Sequence, residues 1–126
     1  MRRQKQFNRA DRIGLLMREE VERIVSYEVR SPLVNTVKVT RSELSGDLGH
    51  FKVYYAIGET TADHEEIQSV LERAAGFVAR TLRDTLQLKR NPKVRFYFDH
   101  AYTRMERIDQ LLTDDANSRS SDQHDP

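Results

Sequence analysis

The sequence predicts an α+β sandwich in which three strands share one apolar face and helices cover it. Three observations carry that prediction. Apolar residues recur at helical spacing over 11–29 and again over 63–90. They alternate at strand spacing over 36–44, 48–57 and 93–99. The resulting order is helix, strand, strand, helix-kink-helix, strand, helix, which suits one helix layer on one sheet.

In the first helix, Ile13, Leu16, Met17, Val21 and Ile24 form the inward stripe, and Arg18, Glu19, Glu22 and Arg23 take the other face. Arg30-Ser31-Pro32 ends it, because a residue before proline is steered out of the helical region. The first strand opens with Val37 and Val39 alternating with Lys38 and Thr40. The phase then blurs: Arg41 and Glu43 continue the apolar set while Leu44 falls on the other, and a bulge is one explanation. Ser45-Gly46-Asp47 reads as a hairpin turn. In the second strand Phe51, Val53, Tyr55 and Ile57 point one way, and Lys52, Tyr54 and Ala56 the other.

After a loop at 58–62, Asp63 is placed as a helix N-cap, with Glu66 completing a capping-box-like pair. Ile67, Val70, Leu71 and Ala74 then point inward. Gly76 interrupts the pattern, at a cost of ~1 kcal/mol relative to Ala. The periodicity resumes with Phe77, Val78, Leu82 and Leu86 and stops at Asn91-Pro92. Two helices meeting at a kink, or one bent helix, both fit. The third strand turns Val94, Phe96 and Phe98 inward and Arg95 and Tyr97 outward. A last helix over 103–112 uses Met105, Ile108, Leu111 and Leu112. Residues 113–126 lack large apolar side chains and are expected to form a disordered acidic tail.

A chain of 126 residues with 37% hydrophobic content suits one domain with one modest core. Cysteine is absent, which excludes disulfides and thiolate metal sites and suits a reducing compartment. The basic N-terminus is followed by no apolar run, and no apolar stretch approaches ~18 residues. No signal peptide and no membrane span are therefore expected, and the expected location is the cytoplasm.

The net charge is only +1, but it is segregated. Residues 1–12 carry five basic and one acidic side chain, and residues 113–126 one basic and four acidic. Residues 59–72 hold five acids and no Lys or Arg, whereas 73–95 hold seven Lys or Arg and one acid.

Little in the chain points to catalysis. His50, His64, His100 and His124 stand in no metal-ligand spacing with one another. The cluster Asp63-His64-Glu65-Glu66 is more simply a set of acids opposing the positive end of a helix dipole. The glycines at 14, 46, 49, 58 and 76 match neither a P-loop nor a dinucleotide fingerprint. No enzymatic activity, cofactor, metal or small-molecule substrate is expected.

The basic block is more informative. Arg73, Gly76, Arg80, Arg83, Gln87 and Arg90 are spaced by three, four, three, four and three, which sets them on one helix face opposite the core. Such a run reads either as a solvated face or as a phosphate-binding one. An ordinary solvated face interleaves acids for ion pairs, and here only Asp84 interrupts. Lys89 belongs to the same block. The open sheet face carries Lys38, Lys52, Tyr54, Arg95 and Tyr97, a set that fits base stacking with backbone contacts or ordinary cross-strand pairing. A third basic group runs from Arg2, Arg3 and Lys5 to Arg9 and Arg12.

Several stretches stand in a recognisable order: Arg9 and Arg12 opening the first helix, Ser45-Gly46-Asp47-Leu48 followed by Lys52-Val53-Tyr54, Ala74-Ala75-Gly76, and 86–92 followed by 94–99. Together they resemble ribosome-binding factor A, a bacterial family of small-subunit maturation factors: the start of its first helix, its hairpin and second strand, its Ala-x-Gly kink, and its helix end and third strand. The likeness spans about 8–112. Two positions depart from the pattern. Ser31-Pro32-Leu33 stands where the family often has Asp-Pro-Arg, and Phe51 where it usually has a small residue.

The resemblance implies a type II K-homology fold with an added C-terminal helix, the kink replacing the Gly-x-x-Gly RNA loop. It implies binding to the free small (30S) subunit, late maturation of 16S ribosomal RNA including its 5′ end, a link to growth in the cold, and no catalysis. The implied organisation is a flexible basic arm at 1–8, an RNA-binding domain at 9–112 and the tail at 113–126. The expected partners are 16S ribosomal RNA and the small subunit, with no membrane, and the chain is expected to be a monomer. The expected RNA contacts are Arg9, Arg12, Lys52, Arg73, Arg80, Arg83, Lys89, Arg90 and Arg95. The alternative is a protein-interaction module using the acidic 59–72 segment and the last helix.

Overall fold

The computed structural model describes the backbone of residues 9–124 and the side chains of residues 9–113. The basic arm expected at 1–8 lies outside the described residues, as do the side chains of the tail beyond 113.

The elements follow the expected order. They are α1 (Arg9–Tyr27), a 3-10 turn (Pro32–Val34), β1 (Val37–Leu44), β2 (His50–Ile57), α2 (His64–Leu86), β3 (Lys93–Phe98) and α3 (His100–His124). The sheet order is β1-β2-β3, with β1 antiparallel and β3 parallel to β2. A parallel neighbour needs a long crossover, and α2 supplies it across one face of the sheet.

That face is the core. Phe51, Val53, Tyr55, Val94 and Phe96 from the sheet meet Met17, Val21 and Ile24 of α1 and Ile67, Leu71, Val78 and Leu82 of α2. Phe51, the departure from the family pattern, is fully buried. Two expected core residues are displaced. Leu16 is half exposed because its own helical row continues through Glu20, Arg23 and Tyr27. Phe77 is exposed for the same reason, sharing its row with Arg73, Arg80 and Asp84.

The phase change in β1 is a bulge, located at Thr40. Val39 pairs with Tyr55 and Arg41 with Tyr54, so Thr40 has no partner of its own. The extra residue returns Leu44 to the core side opposite Phe51 and sends Arg41 and Glu43 to the open face. The turn to β2 closes through Asp47, whose carboxylate accepts hydrogen bonds from the Ser45 hydroxyl (2.7 Å) and the Gly49 N–H (2.9 Å). Leu48 takes the left-handed conformation there, at φ 63°.

The course of α2 decides three points that the sequence raises. Asp63 stands at the N-cap of α2, but its side chain makes no capping hydrogen bond, so the capping box is not formed. The helix runs unbroken through Gly76, so two separate helices are not formed, and it stops at Leu86 rather than at the proline. Gln87 turns left-handed (φ 57°), and the Gln87 and Leu88 N–H groups both donate to the Arg83 carbonyl. This is a Schellman-type end, and Leu88 seals it by packing against the core.

At the C-terminus, α3 continues to His124 where a disordered tail was expected after about 112, since no Gly or Pro interrupts 100–124. Met105, Ile108, Leu111 and Leu112, the apolar residues expected to form the stripe of this helix, are 64%, 55%, 68% and 64% exposed. The sheet explains why. Its covered face is already filled by α1 and α2, and only the start of α3 reaches β2.

Asp99 anchors that start. Its backbone N–H donates to the Tyr55 carbonyl (2.8 Å), and its carboxylate accepts from the Tyr102 N–H (3.0 Å), which makes it the N-cap of α3. The other carboxylate oxygen accepts from the Thr40 hydroxyl (2.6 Å) and the Arg41 guanidinium (3.3 Å). Burial favours the neutral acid, but these donors outweigh it and hold the carboxyl below its usual range. The stability Asp99 contributes is therefore present above about pH 4 and lost as pH falls through the lowered value. Asp99→Asn should lower the unfolding free energy at pH 7 by about 1–3 kcal/mol. Urea titrations should show that deficit shrinking towards pH 3, and a deficit equal at both pH values would contradict this account.

Candidate nucleic-acid interface

The sheet face away from α1 and α2 is where β2 and β3 set their outward side chains. Parallel pairing places His50 beside Lys93, Lys52 beside Arg95 and Tyr54 beside Tyr97. The tyrosine rings stack with centroids 5.5 Å apart and an interplanar angle of 29°. Arg41 lies 3.6 Å from the Tyr54 ring centre, a cation–π contact. Its guanidinium is tethered to Glu43 (3.1 Å) and Asp99 (3.3 Å). At one end of this face, Lys38 donates to the Tyr102 hydroxyl of α3 (2.9 Å), and neighbouring Ala56, expected on the open face, is buried.

The α2 face is a second basic surface. Arg80 is exposed there, and one guanidinium nitrogen lies close to Gly76: a Cβ built on Gly76 would meet it at 3.5 Å. Arg83 is paired with the exposed Asp84 at 2.9 Å. The remaining members of the expected stripe fall elsewhere. Arg73 lines a recess with Leu33, Asp63, Glu65, Glu66 and Ser69, so acids offset its charge. Gln87, Lys89 and Arg90 are off the helix, because the left-handed turn at Gln87 ends it first. Arg90 lies close enough to the hairpin that, after Ser45, Gly49 and His50, its charge helps hold the Asp47 carboxyl low. Arg9 and Arg12 are exposed on the first turns of α1.

Of the nine expected contact residues, the strand pairing brings Lys52 and Arg95 side by side, and α2 carries Arg80 and Arg83 one turn apart. The structure adds His50, Lys93 and Arg41 to the open face beside the expected set. Alternation alone sets His50 with Lys52 and Lys93 with Arg95; the signal for Arg41 was the bulge.

Between α2 and the free edge of β3 runs a groove lined by Gln68, Glu72, Ala75 and the strand itself. Gln68 donates to the Phe96 carbonyl (2.9 Å) and accepts from the Tyr55 hydroxyl. Burial, then the charge of Glu72, pushes the Tyr55 phenol up to about 12, so it remains a donor throughout the neutral range. In the 3-10 turn, the Ser31 hydroxyl accepts from the Leu33 N–H (3.3 Å), and Leu33 packs on the core where a charged residue would face solvent.

This architecture defines a small type II K-homology-like domain with its exposed cations and tyrosines set on regular structure. The ribosome-binding factor A family model matches residues 9–112. A ribosome-binding factor A of Streptococcus pyogenes is 36% identical over 108 residues, covering 85% of this chain and 93% of that protein. One of Methylobacillus flagellatus is 37% identical over 109 residues, covering 86% and 85%. The chain belongs to the ribosome-binding factor A family. Its fold matches the crystal structure of the Thermus thermophilus factor at a TM-score of 0.62 and 17% identity, over 71% of this chain and 96% of that one. A Thermotoga maritima solution structure described as a putative ribosome-binding factor A aligns at 0.51 and 27% identity, over 70% and 80%. A Thermus thermophilus homology model fitted into a cryo-EM map of a 30S complex aligns at 0.50 and 22% identity, over 68% and 93%.

Gly76 is helical and has room for a methyl group, the Arg80 contact being an ordinary van der Waals distance. Gly76→Ala should therefore stabilise the chain by about 1 kcal/mol through helix propensity. Urea unfolding checks this, and destabilisation would show that the glycine relieves a strain in α2.

Proposed function

We propose that this chain binds the free small ribosomal subunit through 16S ribosomal RNA and assists its late maturation, including processing of the RNA 5′ end. Membership of the ribosome-binding factor A family, matched across residues 9–112, is the observation that carries this reading. A Thermus relative fitted into a 30S complex supports the choice of subunit. The protein acts as a binding factor and not as an enzyme, as a monomer in the cytoplasm, with a role in growth in the cold. No helix among the described residues is long and apolar enough to cross a membrane, in keeping with that location.

In this reading Arg80 and Arg83 of α2 contact the RNA backbone, Arg9, Arg12 and the arm before them add to the electrostatic attraction, and Lys89 and Arg90 extend it beside the hairpin. Arg73 contributes less, because acids surround it. The double variant Arg80→Glu, Arg83→Glu should fold normally and lose comigration with free small subunits on sucrose gradients. Full comigration of the folded variant would remove α2 from the contact surface.

The four exposed apolar residues of α3 favour a second reading, in which that helix docks on a protein. Sedimentation equilibrium and pull-down with Leu111→Ser, Leu112→Ser distinguish the two. A protein partner lost only in that variant would support docking through α3.

A further inference from the structure

Of the six rows that β2 and β3 share, three face away from the core, since the alternate positions include the buried Phe51, Val53, Val94 and Phe96. One row sets two cations opposite each other, Lys52 and Arg95, and the row beside it sets His50 against Lys93. The like charges of Lys52 and Arg95, directly opposite, weaken the sheet. A neighbouring acid would relieve this, but β1 provides one carboxylate here, Glu43 opposite Lys52, and Arg41 holds it at 3.1 Å. Among the described residues Lys52, Lys93 and Arg95 make no ion pair. Three exposed cations so placed favour an external polyanion.

The third row gives that anion its chemistry. Arg41, Tyr54 and Tyr97 form a three-layer stack running from β1 towards the free edge of the sheet. Arg41 covers the side of Tyr54 towards β1, and Tyr54 covers the near side of Tyr97. Tyr97, on the edge strand, is 38% exposed and lines a recess with Lys93, Arg95, Gln68 and one acid, Glu72. Buried Asp99 fixes the stack by holding Arg41. A pre-formed aromatic face next to a row of cations suits an unpaired nucleotide: a π face for the base and cations for its phosphates. A duplex offers no free base to that face.

We propose that the open face of β2 and β3 binds an unpaired stretch of RNA, with its phosphates on Lys52, Lys93 and Arg95 and one base stacked on Tyr97. This rests on the ribosomal RNA reading but uses a surface separate from the Arg80–Arg83 face of α2.

The test is fluorescence anisotropy of the full chain with fluorescein-labelled oligouridylate, alone and annealed to oligoadenylate. Tyr97→Ala should weaken binding of the single strand about five- to hundredfold. Tyr97→Phe, which keeps the ring, should bind within about twofold of the parent. Lys52→Ala with Arg95→Ala should flatten the log–log salt dependence by about 1.4, ~0.7 for each lost phosphate contact. Arg80→Glu, Arg83→Glu should leave these effects in place. Unchanged single-strand binding in the sheet variants overturns the proposal, even if the chain comigrates with small subunits. Equal loss in Tyr97→Phe and Tyr97→Ala, preference for the duplex, or a sheet-dependent protein partner with no oligonucleotide binding also overturns it. Absence of the parent chain from small-subunit fractions would instead count against the ribosomal reading, while oligonucleotide binding lost in the sheet variants would still assign this face to unpaired RNA.

Discussion

The carboxylate of Asp99 is the joint on which this fold turns. It is buried and bonded to the bulge residue of the first strand, to a guanidinium on the open face and to the first turn of the last helix. A buried charge persists only where donors surround it. Here the bulge exists where one donor is needed: Thr40, left out of the strand pairing, turns its hydroxyl to Asp99. The same insertion shifts Arg41 to the open face. One irregularity in β1 thus sets the entry of α3 and the side-chain order of the exposed sheet.

The two faces of the sheet divide labour accordingly. One is closed by α1 and α2 over a continuous apolar cluster, with Gln68 satisfying the Phe96 carbonyl at the strand edge. The other is left to charge and aromatic rings. Lys38 and Tyr102 bring α3 to one end of it, and Tyr54 and Tyr97 stack on each other further along.

Much of the core was legible because burial follows period: the inward sets of β2 and β3 were read correctly from alternation alone. The bulge was legible as a phase error, although not its position. Helix ends were less so. Asn91-Pro92 was a true stop signal overtaken by an earlier one, the turn at Gln87, which depends on Leu88 finding the core. The exposure of Met105, Ile108, Leu111 and Leu112 could not be read from their spacing, because spacing shows a stripe and not whether a surface remains to receive it. The basic stripe was half legible for a related reason. Periodicity was extended beyond the true helix end, and the acids that offset Arg73 and Arg83 sit on the same helix or at its start, which the spacing of the cations alone does not count. The pairing of Lys52 with Arg95 required a parallel register that no local pattern encodes.

Placing β3 beside β2 across α2 also governs the order of assembly. β1 and β2 are joined by a short turn and can pair as soon as they are made, but the centre strand keeps one unpaired edge until residues 93–98 arrive. At about 5–20 residues per second, that edge waits several seconds during synthesis. It is an apolar, strand-prone sequence rich in Phe, Val and Tyr, the kind that recruits other chains. The helix made in the interval is thus also a shield in time, able to dock over the nascent hairpin before the last strand closes the sheet.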